Sequence, residues 1–118
     1  MADKSVIKSF LQELKVIIKT LGIIFSNRPK NSIQNLADLG ITAKMREEII
    51  LSLEVRDYSE GPFEETQQGG TEMWVFGKVI KRQPVYIKLT ISKMNGGAVC
   101  ISFHKADFPM VFPLKNSN

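Results

Sequence analysis

Apolar side chains recur every three or four positions at the start of the chain and every second position after residue 71, a change of period that divides the sequence into a helical half and a strand half. Over residues 3–21, Val6, Ile7, Phe10, Leu11, Leu14, Ile18 and Leu21 form one stripe, with Lys8, Gln12, Lys15 and Lys19 on the opposite side of the predicted helix. Gly22 ends that helix, and Ile23-Ile24-Phe25 reads as an edge strand or a buried connection, the strand being preferred. A loop follows around Pro29. Ser32 or Asn31 is positioned to cap a short helix that Gly40 stops, and Thr42 caps a third helix over residues 43–53. Met45, Ile49, Ile50 and Leu53 of that third helix point inward, and Arg46, Glu47 and Glu48 outward.

Residues 54–70 are polar and rich in turn formers, with Gly61-Pro62 and Gly69-Gly70, and read as a long surface loop. Residues 72–81, 84–92 and 98–104 then alternate and are rich in β-branched and aromatic side chains. Their connections are short enough to make neighbouring strands antiparallel. A two-residue turn at Arg82-Gln83 joins the first pair, and a three-residue loop at Met94-Asn95-Gly96, with Gly in the left-handed position, joins the second. Pairing Lys93 with Gly97 aligns Ile91 with Val99, Leu89 with Ile101 and Ile87 with Phe103 on an apolar face. The same register sets Tyr86 opposite His104, Lys88 opposite Ser102 and Thr90 opposite Cys100 on the other face. The first strand leaves two alternatives for Lys78: the core face, beside Trp74, Phe76 and Ile80, or the opposite face if a bulge occurs near Gly77. In the tail, Phe108, Met110, Phe112 and Leu114 alternate between two prolines, which suits an extended segment laid along the domain or a partner.

These elements predict an α+β single domain over residues 1–118, with N-terminal helices packed on a three- to four-stranded antiparallel sheet. The expected divisions are a mainly helical part (1–53), a loop (54–70), the sheet (71–104) and an extended tail (105–118). A length of 118 residues leaves no room for a second core. The longest apolar run, Val16 to Phe25, is interrupted by Lys19 and is too short to cross a bilayer. With one Cys and one His, neither a disulfide framework nor a zinc cluster is expected, and a reducing, cytoplasmic location fits. Neither a metal nor a small-molecule cofactor is called for, and no membrane.

Charge is segregated along the chain. Residues 1–35 carry a net +4, residues 36–70 a net −5 and residues 71–118 a net +5. A basic strand half favours a polyanionic partner such as RNA. The reactive side chains concentrate there too, with Tyr86, Lys88, Ser102 and His104 on one sheet face and Lys78 beside them in one of its two alternatives. Such a set suits cleavage of RNA by its own 2′-hydroxyl, which needs a proton acceptor, a cation near phosphorus and a proton donor for the leaving 5′-oxygen. Histidine ordinarily titrates at ~6.5, which suits His104 to move the proton. Lys88 and Lys78 would supply charge, and Tyr86 would position phosphate, stack on a base or exchange a proton. Lys81, Arg82, Ser102 and Lys105 are the expected RNA contacts around them. The same features also describe the solvated face of a one-sided sheet, so a non-catalytic RNA- or protein-binding module is the alternative. A third reading makes the basic N-terminal helix a membrane-surface or partner-binding element.

The order and spacing of several segments resemble the motility quorum-sensing regulator toxin family of bacterial toxin–antitoxin systems. The resemblance runs from Leu36-Ala37-Asp38-Leu39-Gly40-Ile41 through Glu48-Ile49-Ile50-Leu51-Ser52-Leu53 and Asp57-Tyr58. It resumes at Met73-Trp74 and continues in Val85-Tyr86-Ile87-Lys88-Leu89-Thr90 and Val99-Cys100-Ile101-Ser102-Phe103. It implies a small RelE-like fold, metal-independent endoribonuclease action on messenger RNA that inhibits translation, and a cognate antitoxin protein as partner. Tyr86 falls at the family's functional strand tyrosine and Lys88 at the lysine two residues on. The family's glutamine after the tryptophan is Val75 here, and its lysine after the Asp-aromatic pair is Glu60. Lys78 and His104 are the nearest replacements.

Overall fold

The computed structural model describes residues 3–65 and 71–117. The chain runs through helix α1 (Lys4–Leu21), strand β1 (Ile23–Phe25), helices α2 (Ile33–Leu39) and α3 (Ala43–Leu51), and strands β2 (Tyr58–Glu65), β3 (Thr71–Ile80), β4 (Gln83–Ile91) and β5 (Ala98–Lys105). One sheet holds all five strands in the order β1-β5-β4-β3-β2. The fold is α+β as expected, but the sheet is mixed, because β1 lies parallel to β5.

Local chemistry explains the helix ends. The Asp3 carboxylate accepts from the Val6 N–H, Ser32 Oγ from the Asn35 N–H and Thr42 Oγ1 from the Met45 N–H, each satisfying a donor that the first turn leaves without an intrahelical acceptor. Along α1, Ile7, Leu11, Leu14 and Ile18 are buried, each contributing roughly 1.5–3 kcal/mol from burial. Val6 and Leu21, expected on that stripe, are 46% and 72% exposed. Phe10 stacks on Trp74 at 4.9 Å between ring centroids and lies 6.2 Å from Phe76, which fixes α1 against β3. Ile50, Leu53, Leu36 and Leu39 complete the helical side of the core.

The sheet departs from expectation in four places. Residues 58–65 form the edge strand β2, with register shifts on both sides of Glu60, where a surface loop was predicted; residues 66–70 of that predicted loop lie outside the described residues. A glycine, a proline and three glutamates conceal a strand that is tolerated because it is an edge. The turn between β3 and β4 is Lys81-Arg82, both with positive φ, so Ile80 pairs with Gln83. The β4–β5 connection spans residues 92–97 and is closed by Ser92 N–H to Gly97 O at 2.8 Å, with Gly96 at φ +71° as expected for its left-handed position.

The fourth departure is in the β4–β5 register. It holds as predicted from Val85↔Lys105 through Lys88↔Ser102, then slips by one at Leu89↔Cys100. The bulge at Ile101 turns Ala98 and Cys100 toward the helices, where Val99 and Ile101 were expected. Cys100 is fully buried, and burial pushes its thiol pKa far up, which makes it a small core residue.

Among the described residues, no strand pairs with β5 on that side beyond the three residues of β1, and Asn31 takes its place. Its Nδ2 donates to Ile101 O at 3.1 Å and to Ser26 O at 3.0 Å, and its Oδ1 accepts the Phe103 N–H at 2.8 Å. One amide side chain thus continues the β1 ladder. On the face away from the helices, the tail lies across β3 at Gly77: a Cβ there would stand 2.8 Å from both Met110 Sδ and Phe112 Cζ. Ser59 Oγ donates to Val111 O at 2.7 Å and holds the tail beside β2. Met110, Phe112 and Leu114 are partly buried and Phe108 faces solvent, and residues 113–116 form a turn where an extended tail was expected.

Candidate functional site

Strand register alone brings the two central side chains together. Tyr86 and His104 are direct cross-strand partners, and their rings stack with centroids 5.3 Å apart and planes 13° from parallel. Lys88, two residues along β4 and therefore on the same face, holds its Nζ 5.8 Å from the centre of the Tyr86 ring. His104 Nδ1 lies 2.8 Å from Lys105 O. A carbonyl can only accept, so Nδ1 is the donor, and in the neutral ring the lone pair is on Nε2.

Two further residues act on the phenol: Glu60, which the family resemblance set at a functional position, and Arg28, which sequence reasoning did not single out. Burial raises the Tyr86 pKa above the ordinary 10.0, the Glu60 carboxylate raises it further, and Arg28 opposes them. Tyr86 is therefore a hydrogen-bond donor at neutral pH. Glu60, Val75, Lys88 and Ser102 form one continuous row across β2, β3, β4 and β5, next to the row formed by Gly77, Tyr86 and His104. The Glu60 position follows from the β2 pairing, which the turn-rich sequence concealed; Arg28 comes from the loop before α2, far away in sequence.

Lys78 does not join this group. The β3–β4 register runs without a break from Met73 to Ile80, so no bulge at Gly77 turns Lys78 over. It stays on the helix-side face, where its Nζ donates to Asp57 Oδ2 at 3.1 Å and to Ser52 O at 3.3 Å. Asp57 also accepts the Glu54 N–H at 2.8 Å, so the pair fastens the 3₁₀ turn before β2 to the sheet. The convergence of Lys78 with Tyr86 and His104 is thereby corrected: on a continuous ladder, residues 77 and 78 point to opposite faces.

The expected RNA contacts are dispersed. Ser102 is only 5% exposed, opposite Lys88. Lys81 and Arg82 are exposed in the β3–β4 turn, and the Lys81 ammonium donates to Gly40 O at the end of α2. Lys105 is exposed beside His104, and both line a cleft of about 330 Å³ whose other walls include Asn35, Asp38, Leu39 and Gln83. Lys30 and Asp107 pair at its rim, and the Lys30 ammonium holds the Asp107 carboxyl below its usual pKa. Among the described residues, no group of three or more His, Cys, Asp or Glu side chains is arranged to hold a metal ion, and no helix is long and apolar enough to cross a membrane.

No family model, curated protein or solved structure matches this chain.

Proposed function

We propose that the Tyr86–His104 face binds single-stranded RNA and cleaves it through the RNA's own 2′-hydroxyl, and that the chain is the toxin of a toxin–antitoxin pair that inhibits translation in the cytoplasm. The observation that carries this reading is the stacked Tyr86–His104 pair, with Nδ1 of His104 held by the Lys105 carbonyl and Lys88 alongside. In the proposed reaction, Nε2 takes the 2′-hydroxyl proton and the 2′-oxygen bonds to phosphorus. The bond from phosphorus to the 5′-oxygen breaks, and that oxygen leaves with the Tyr86 phenol proton. The products are a 2′,3′-cyclic phosphate and a 5′-hydroxyl, and exchange with water restores both side chains. Lys88 offsets the charge that accumulates on phosphorus. The resemblance to the motility quorum-sensing regulator toxins supports Tyr86 and Lys88 in these roles, the RelE-like assignment of the fold, and an antitoxin protein as partner.

Purified protein incubated with messenger RNA in EDTA, beside Tyr86→Phe and His104→Ala, tests the assignment. Cleavage is expected from the parent and is expected to fall by about 10²–10⁴ in the His104 variant. Unchanged cleavage in both variants sinks the site assignment, and absence of both cleavage and growth arrest on expression sinks the toxin reading.

A second reading is supported by the row beside the stack. Val75 and Glu60 stand where the resembling family has a glutamine and a lysine, and Asp57 holds Lys78 away. A binding module without cleavage predicts salt-sensitive RNA affinity, with Lys88→Ala lowering the salt slope by about 1.

A further inference from the structure

We infer that the cleft beside His104 is a nucleotide subsite that takes one unstacked base of the RNA and favours a base with an exocyclic amino group over uracil. The inference rests on the reading of the Tyr86–His104 face as an RNA site and adds what that site would select. His104 is the shared element, since its ring stacks on Tyr86 and the residue is part of the cleft lining, so a strand crossing the stack has a neighbouring nucleotide within reach of the cleft.

Size and chemistry agree on the ligand. A volume of about 330 Å³ lies at the lower end of the range for ligand pockets, enough for one nucleobase with part of its ribose and too small for a base pair. Leu39, the last residue of α2, is buried and forms the apolar part of the wall, against which a ring face can rest. Asn35 and Gln83 are half-buried amides at the wall. Asn35 Nδ2 donates to Pro29 O at 3.0 Å, which fixes its amide orientation and leaves Oδ1 as the acceptor for a ligand. The Asp38 carboxylate takes one bond from Gln34 Nε2 at 2.9 Å through Oδ1, which leaves Oδ2. Two cleft-lining residues thus each keep an acceptor oxygen for a ligand. Adenine, cytosine and guanine carry an amino group that can meet them; the uracil edge offers one N–H between two carbonyl oxygens, which these acceptors repel. Lys105, at the same mouth, supplies charge for the adjoining phosphate.

The test uses the full chain and trinucleotides made uncleavable by a 2′-deoxy ribose at each position, with each base varied in turn, read by NMR of the Asn35 and Gln83 side-chain amides. Both amides are expected to shift, and at one position the adenine, cytosine or guanine versions are expected to bind at least about fivefold more tightly than the uracil version. Asn35→Ala and Gln83→Ala should each weaken binding, and Asp38→Asn should reduce the discrimination against uracil. Shifts confined to Tyr86, Lys88 and His104, equal affinity for all four bases at every position, or no binding overturns the subsite. Cleavage of the all-ribose strands, measured separately, keeps the two readings distinguishable. Cleavage without base preference and without effect of the Asn35 and Gln83 changes retains the nuclease and removes the subsite. Base-selective binding in the cleft without cleavage retains the subsite and removes the nuclease.

Discussion

Replacing Asn31 by Ala removes the side chain that stands in for a missing strand beside β5. Three hydrogen bonds end at that one amide, which is 8% exposed. The Phe103 N–H suffers most, because it points to the uncovered edge of β5 and its other neighbour, Ile87, pairs with it across β4 without sharing this donor. A buried donor left without a partner costs about 1–3 kcal/mol, and the loss of Asn31's own bonds to Ile101 O and Ser26 O adds about 1 kcal/mol. The expected destabilisation is therefore roughly 2–4 kcal/mol, a large part of the 5–15 kcal/mol typical of a domain. At about 4 °C per kcal/mol for a chain of this size, Tm should fall by roughly 8–16 °C. Urea and thermal unfolding followed by circular dichroism measure the loss, and hydrogen exchange at the Phe103 amide localises it. Asn31→Asp is the control. It keeps the acceptor for Phe103 but sets a second oxygen against the carbonyls of Ile101 and Ser26, so near-identical shape should not rescue stability. An alanine variant within 0.5 kcal/mol of the parent, or an aspartate variant as stable as the parent, refutes the account of this edge.

The site and its surroundings make further predictions. Lys78→Met removes the ion pair with Asp57, in which the two side chains are 29% and 14% exposed, and should cost about 1 kcal/mol in urea unfolding. It should leave RNA cleavage within a factor of about two, and a loss beyond tenfold in the folded variant would return Lys78 to the site. Gly77→Val drives a side chain into Met110 Sδ and Phe112 Cζ, and since those are the ends of flexible side chains, the tail yields before the strand. Faster hydrogen exchange over residues 110–114 is expected, with a stability loss of about 1–2 kcal/mol; undisturbed tail protection would show that the tail does not rest on Gly77. For Tyr86, the folded state holds its proton above the unfolded value. It contributes stability that is fully present below about pH 10 and is lost as pH rises through the raised folded pKa. NMR of ¹³C-tyrosine-labelled protein should therefore place the Tyr86 midpoint above 10, and Glu60→Gln should bring it down; a midpoint at or below 10 contradicts the burial argument.

The alternation of β4 was legible because one of its faces is apolar, and the pairing of Tyr86 with His104 followed from matching that face to β5. The bulge at Ile101 was not legible. Residues 98–103 are apolar or small on both sides of the strand, so slipping by one exchanges Val99 and Ile101 for Ala98 and Cys100 at little cost in burial, and alternation carries no signal. Lys78 posed the opposite difficulty. The unbroken register puts a charge on the helix-side face, and the Asp57 carboxylate, 21 residues earlier, with the Ser52 carbonyl makes that position acceptable. The parallel pairing of β1 with β5 joins segments 75 residues apart, with nothing local to announce it. Of the candidate site, Tyr86, Lys88 and His104 were readable from register, whereas Glu60, Arg28 and the cleft depend on β2 and on the loop before α2.

The account turns on whether Nε2 of His104 takes a proton from the RNA's own 2′-hydroxyl. Single-turnover cleavage of a short RNA, compared with the same strand carrying one 2′-deoxy sugar at the cut, measures this directly in the parent and in His104→Ala. The account predicts a cyclic phosphate product, no cleavage at the deoxy position, and a rate about 10²–10⁴ lower in the variant. Cleavage at the deoxy position, or a His104→Ala variant that cuts at the parent's rate, contradicts it.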